Sequence, residues 1–189
     1  MIIKHVVDNI FLVDGIISGD MCEKIRKIID KDAVHREKYE SFYNVQCVYM
    51  KNFEIMDDVV RKSVDKVFHD IAVEMFMRYK IRSSKCAAIS LRKIHGKTKL
   101  HRDGVVDIVQ VVDGKVNVED VRQLSVIVAL NDDYEGGELY FPVQDLQIRL
   151  RTGQGVVFPP YWTHPHETAE LRNNTHRYTL NSWLCGGQT

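Results

Sequence analysis

Cysteine is scarce in this chain: there are four in 189 residues and no CxxC pair, so neither a zinc ribbon nor a disulfide scaffold is indicated. Cys22, Cys47, Cys86 and Cys185 are scattered and read as buried or unused thiols in a reducing compartment. Excess charge of either sign is missing, because 26 basic residues cancel 26 acidic ones, and this argues against nucleic acid or a membrane surface as partner. A run of about 18 apolar residues, the minimum for a bilayer span, is absent. The opening MIIKHVVDNIFLVDG also lacks the unbroken apolar centre of a secretory signal, so the expected location is the cytoplasm. Repeats, low-complexity segments and linkers are missing too, which favours one domain over residues 1–189. Oligomeric state is not legible in this composition.

What is present divides into two textures. In residues 1–84, IIKHVVDNIFLVDGII is β-branched and reads as a strand with a turn at Asp14-Gly15. Ser18 is placed to cap a helix through Met21, Ile25, Ile28 and Ile29. Between about Asp57 and Tyr79, Val60, Val64, Val67, Phe68, Ile71, Met75 and Tyr79 recur at helical period, which predicts a supporting helix with one core face. From 85 to 185 the chain becomes short apolar runs punctuated by Gly, Pro, Asn and Asp, which is a β-rich pattern. Residues 105–121 alternate around Asp113-Gly114, a strong hairpin signal between two core strands. The whole is α+β, with helices packed on a β-rich half.

Chemistry concentrates after residue 100. In LHRDG, His101 and Asp103 are two apart, so on a strand end they leave from one side and can meet one ion. Further on, HPHETAELRNNTHRYTL carries His164, His166 and His176. Two imidazoles and one carboxylate on a single face leave open positions of the kind oxygen-activating iron(II) needs. His176 directly precedes Arg177 on the expected last strand and so faces the other way, while Arg177, Thr179, Asn181 and Trp183 share a face.

The ordered series LHRDG, RQLSVIVALNDDYEGGELYFP and GQGVVFPPYWTHPHETAELRNNTHRYTLNSWL resembles the iron(II)/2-oxoglutarate dioxygenases, in their prolyl 4-hydroxylase-like branch, over residues 89–184. The resemblance implies a double-stranded β-helix, or jelly roll, over 85–185. It also implies iron held by His101, Asp103 and one later histidine, with Fe(II), 2-oxoglutarate and O2 as cofactors and co-substrates and ascorbate as an accessory reductant. His166 lies 11 residues before Arg177, close to the family's spacing, and His164 lies 13 before it, so His166 is the expected ligand and His164 the alternate. By the same resemblance Arg177 and Thr179 hold the 5-carboxylate of 2-oxoglutarate, with Lys93 and Lys99 as the other cations to consider. Arg122 and Trp183 are expected to contact substrate.

One departure stands out. Where the family carries a Tyr in YxPG, this chain reads RKIHG, and His95 is the nearest substitute. Glu138 is expected to be structural. The implied reaction is hydroxylation of an unactivated C–H bond, with a prolyl residue of a peptide or protein as first candidate substrate and small molecules as the other. The hairpin of 105–121 is a candidate lid that helps choose it. Nucleic-acid demethylation is disfavoured because the position six after Arg177 is Trp183, where that branch carries a second Arg, and halogenation because Asp103 is present. The alternative from another class is a non-catalytic jelly-roll module that binds a metal or ligand.

Overall fold

The computed structural model describes residues 1–33, 40–42, 45–52, 57–83, 85–104, 109–118 and 120–186. Its first half comprises β1 (Ile2–Val7), β2 (Ile10–Asp14), α1 (Gly19–Ala33), β3 (Glu40–Phe42), β4 (Val45–Asn52) and α2 (Asp58–Tyr79). There follow β5 (Lys85–Cys86), β6 (Ser90–Thr98), β7 (Val109–Val112), β8 (Lys115–Val118), β9 (Val121–Ala129), β10 (Glu135–Gly136), β11 (Leu139–Phe141) and β12 (Leu146–Ile148). The chain closes with β13 (Gly155–Phe158), β14 (Glu167–Thr168), β15 (Leu171–Arg172) and β16 (Arg177–Gly186).

Antiparallel pairing builds the large sheet in the order β1-β2-β13-β9-β16-β6-β4-β3, with β5 on β16, and a smaller sheet β12-β11-β14 lies against it. The two faces meet through Ile10, Ala129, Val156 and Phe158 on one side and Leu139, Phe141 and Ile148 on the other. This is the jelly roll expected from the sequence. The large sheet takes strands from both halves of the chain: β2 pairs β13, and β4 pairs β6.

On its other face the sheet carries both helices. In α1, Cys22, Ile25 and Ile29 are buried, and in α2 the stripe Val60, Val64, Val67, Phe68, Ile71 and Met75 is buried against Phe11, Leu91, Val126, Leu180 and Leu184. Helical spacing thus predicted the core face, except that Tyr79 sits at the helix end, 36% exposed, with its ring 4.5 Å from that of Phe11. The caps follow the sequence: Asp57 accepts from the N–H groups of Val59 and Val60 at 2.8 and 3.2 Å, and Ser18 Oγ accepts from Met21. Burial pushes the Cys22 thiol up to about 11, which keeps it protonated and inert.

Two turns differ from simple expectation or meet it closely. The amino-terminal stretch is a hairpin rather than one strand, and it reverses at Asp8-Asn9, both in the left-handed region (φ 44° and 63°). That is the backbone a two-residue hairpin loop needs, and Asn and Asp tolerate it. Asp113-Gly114 does the same for β7 and β8 (φ 51° and 71°), pairing Val112 with Lys115. Residues 105–108 and 119 of that hairpin lie outside the described residues.

Candidate active site

β6 ends at Thr98, and the chain then turns across to the small-sheet side. There His101 and His166 form a directly opposed antiparallel pair, exchanging N–H···O=C bonds of 3.0 and 2.9 Å. Opposed residues project side chains to one face. Their rings lie 4.3 Å apart between centroids. Asp103, two residues on, returns to the same spot: its Oδ1 is 3.4 Å from His101 Nε2 and its Oδ2 3.8 Å from His166 Nε2. The ligand-capable atoms of these three residues lie within 4.8 Å of one another.

The surrounding bonds fix which nitrogens face this cluster. His101 Nδ1 meets the Lys99 carbonyl at 2.8 Å and His166 Nδ1 meets the His164 carbonyl at 3.2 Å. A carbonyl only accepts, so each Nδ1 carries the proton and each Nε2 turns its lone pair inward. Ser125 Oγ donates to Asp103 Oδ2 at 2.7 Å, and Arg122 Nη1 donates to the Asp103 carbonyl at 2.5 Å. The Arg122 guanidinium also lies 3.6 Å over the Trp183 ring, a stacked cation–π contact. Arg122 therefore braces Asp103 and Trp183 at one end of the slot.

Electrostatics favour a charged Asp103 carboxylate beside a neutral His166 ring. Burial opposes ionisation of Asp103, but the His101 ring, His166 and the Ser125 hydroxyl outweigh it and hold the carboxyl well below its ordinary range. Burial pushes His166 down to about 4 against the pull of Asp103, so this ring is neutral at physiological pH. At His101 burial is overcome by the hydrogen bond and charge of Asp103, and its pKa rises.

Arg177 stands at the other end of the same slot, which Thr179, Asn181 and Trp183 also line. Residues 177, 179, 181 and 183 thus share the inward face of β16. Arg177 Nη1 donates to the Gly137 carbonyl at 2.7 Å, and its Nε is buried with no hydrogen-bond partner among the described residues. Burial lowers its pKa from an ordinary arginine's. Thr179 Oγ1 donates to Asn181 Oδ1 at 2.6 Å. A buried unsatisfied donor is rare and calls for an acceptor. The slot therefore offers a two-histidine, one-carboxylate donor set at one end and an orphaned guanidinium donor at the other, and ferrous iron and a dicarboxylate fit both.

Other candidates fall elsewhere. The ring of His164 is turned away: Nε2 meets the Asp8 carbonyl at 2.6 Å and Nδ1 meets Thr163 Oγ1 at 2.8 Å. Since a carbonyl only accepts, Nε2 donates and Nδ1 takes the hydroxyl proton. His164 thus ties the approach to β14 onto the β1–β2 turn. His176 is half-buried, its ring 5.4 Å from that of His95, and neither is among the residues lining the slot. Lys93 reaches Asp30 at 2.7 Å on the helix-side face, and Lys99 is exposed. Glu138 pairs with Arg149 at 3.2 Å, a structural role. Sequence reasoning passed over Arg92 on β6, which lines the slot, and Ser125 on β9, which holds the Asp103 carboxylate.

Comparison with known proteins agrees with this geometry. Residues 89–185 match the sequence profile of the 2OG-Fe(II) oxygenase superfamily. No curated protein matches by sequence. Among solved structures, the chain is similar in fold to the viral collagen prolyl hydroxylase from Paramecium Bursaria Chlorella virus-1 in its 2-oxoglutarate complex (TM-score 0.71, 18% identity, 96% of this chain and 97% of that one). It is likewise similar to a Pseudomonas putida prolyl-4-hydroxylase (0.73, 12%, 95% and 94%). A third is a Trichoplax adhaerens prolyl hydroxylase in complex with a hypoxia inducible factor peptide fragment (0.68, 12%, 95% and 84%).

Proposed function

The chain belongs to the 2OG-Fe(II) oxygenase superfamily, and from that premise we propose that His101, Asp103 and His166 hold its iron, that Arg177 and Thr179 hold 2-oxoglutarate, and that it hydroxylates a prolyl residue of a peptide or protein. It is an Fe(II)- and 2-oxoglutarate-dependent dioxygenase of the prolyl 4-hydroxylase-like branch. The observation that supports the ligand assignment most directly is the cross-strand pair His101–His166, with both Nε2 atoms and Asp103 turned to one point.

Iron with 2-oxoglutarate supplies oxygen activation coupled to oxidative decarboxylation, which yields succinate, carbon dioxide and a hydroxylated carbon. The protein's own residues do the rest. Lys99 and His164 lend their carbonyls to fix the two imidazole tautomers, and Ser125 and Arg122 set the direction of the Asp103 carboxylate. The Arg177 fork, anchored on Gly137, orients a carboxylate, and Thr179 adds a hydroxyl beside it. Leu139, Val126, Ile127 and Trp183 furnish apolar walls that exclude water from the slot.

The prolyl reading is supported by the three solved structures named above, each of which is a prolyl hydroxylase. Leading on from Gly104, directly after Asp103, the 105–121 hairpin is the segment to which we assign substrate selection. A succinate-release screen against prolyl peptides, free amino acids and nucleotides tests the reading. Stimulation by prolyl peptides with hydroxyproline in the product is the expected result; stimulation by another class alone would replace the substrate, and absence of any turnover would leave the binding-module alternative.

A further inference from the structure

The helix-side face of the molecule carries a groove that none of the roles above uses. α2 is capped by Lys80 in the left-handed region (φ 59°), and the chain then turns back alongside the helix. Phe68, Ala72, Val73 and Phe76 of α2 form one wall, and Ile89 with Leu184 of β16 forms the other, around a cavity of about 550 Å³. That volume lies in the range that receives a ligand or inserted side chains. The rim stays apolar and open: Val73, Phe76 and the neighbouring Met77 are 43, 40 and 61% exposed. Leu184 packs with the helices while Trp183 lines the slot, so groove and slot lie on opposite faces of β16.

Opposite charges stand at the two ends of the groove. Asp65 lies at one end, where its charge adds to burial in raising the Cys86 thiol. At the other, the Arg82 guanidinium lies 5.7 Å over the Phe76 ring, and the Lys80 ammonium is 5.9 Å from the same ring. From Asp65 to Phe76 the helix axis advances roughly 16 Å. Asp65 and Arg82 are exposed, and neither has an ion-pair partner among the described residues. Their neighbours on α2 do: Arg61 with Asp58 at 3.1 Å, Lys66 with Asp70 at 2.5 Å and Arg78 with Glu74 at 2.6 Å. An apolar acid bound in the groove would gain Arg82 but meet Asp65 as a repulsion. A second copy of the chain uses both ends.

We propose that the groove is a dimer interface, occupied by α2 of a second copy across a two-fold axis. With the axis passing between His69 and Ala72, the two helices run antiparallel, and Asp65 of each copy meets Phe76 and Arg82 of the other. The interface is isologous, so each contact occurs twice. Phe76 enters the partner's groove, and the small side chain of Ala72 beside the axis lets the helices approach closely.

The test is sedimentation of the full chain over roughly a hundredfold range of concentration. Wild type should pass from monomer to twice that mass with a Kd on the order of tens of micromolar or tighter. Asp65→Arg and Arg82→Glu each set like charges against each other at both ends of the interface, so each alone should raise that Kd at least about tenfold. An equimolar mixture of the two variants should recover the dimer to within about threefold of wild type, because the reversed charge at position 65 of one then faces the reversed charge at position 82 of the other. Phe76→Ser should leave a monomer. In all variants the Kd for 2-oxoglutarate and the far-ultraviolet circular dichroism should match wild type, since the slot lies on the other face of β16. A wild type that is monomeric at every concentration, a dimer that survives either charge reversal, or a mixture that fails to recover association would each overturn the assignment.

Discussion

Replacing Arg177 with Gln removes the orphaned donor at the end of the slot while keeping side-chain polarity. In the protein, Nη1 is held by the Gly137 carbonyl and Nε is buried without a partner among the described residues, so the fork is positioned before any ligand arrives. Loss of one partner of a buried charge-assisted pair costs roughly 2–5 kcal/mol. At about 1.4 kcal/mol per tenfold, the Kd for 2-oxoglutarate should rise on the order of 30-fold or more. Arg177→Lys should lose less, because charge survives and the planar fork does not. Iron affinity should change little, since Arg177 is not among the three clustered donors. The assay is anaerobic titration of 2-oxoglutarate into iron-loaded enzyme, followed by its visible charge-transfer band. An unchanged Kd in the Gln variant would refute the assignment and transfer the role to another cation, with Arg92 first.

The two neighbouring histidines should separate: His166→Ala should abolish stoichiometric iron binding, whereas His164→Ala should keep it. The latter removes the part-buried bond to the Asp8 carbonyl and should cost about 0.5–1.5 kcal/mol in denaturant unfolding. Ser125→Ala leaves all three donors in place but frees Asp103, so iron affinity measured by competition with a chelator should fall about 10–100-fold. Ile71→Ala, at a fully buried position under the sheet, should lower unfolding free energy by about 2–5 kcal/mol while 2-oxoglutarate binding to the folded enzyme is unchanged. Asp30 is raised by burial but lowered more by Lys93 and Tyr178, so its folded pKa lies below the unfolded one. Its contribution is therefore present above about pH 4 and lost as pH falls through the folded value. With Asp30 47% exposed, Asp30→Asn should cost no more than about 1 kcal/mol at pH 7 in urea melts, and progressively less as the pH is lowered through the folded value.

The legible parts of this molecule are those where one period runs unbroken. β16 has no register shift from Thr179 to Trp183, so parity alone put Arg177, Thr179, Asn181 and Trp183 on one face and His176 on the other. Lys93 and Lys99, the other cations considered for the carboxylate, do not line the slot: alternation along β6 turns Arg92, Ile94 and Thr98 into it and Lys93 toward Asp30. β4 was not anticipated, and its pairing to β6 slips twice, at Val45/Cys47 and Cys47/Tyr49, so no steady alternation marked it. The turn at Asp8-Asn9 is legible in principle, since both residues tolerate the left-handed region, but Asp14-Gly15 is the stronger local turn signal. The bonds from Ser125 and Arg122 to Asp103, 22 and 19 residues apart in sequence, come from sheet closure and have no local signature.

The central claim is that His101, Asp103 and His166 form one ferrous site, and anaerobic Fe(II) titration of wild type beside Asp103→Ala tests it most directly. Asp103 contributes the cluster's only carboxylate, so its removal leaves two imidazoles with the fold otherwise supported by the two sheets and helices. One iron bound per wild-type chain, with charge-transfer absorption on adding 2-oxoglutarate, and loss of both in the folded variant, is the predicted result. Equal iron binding and equal absorption in Asp103→Ala would contradict the account.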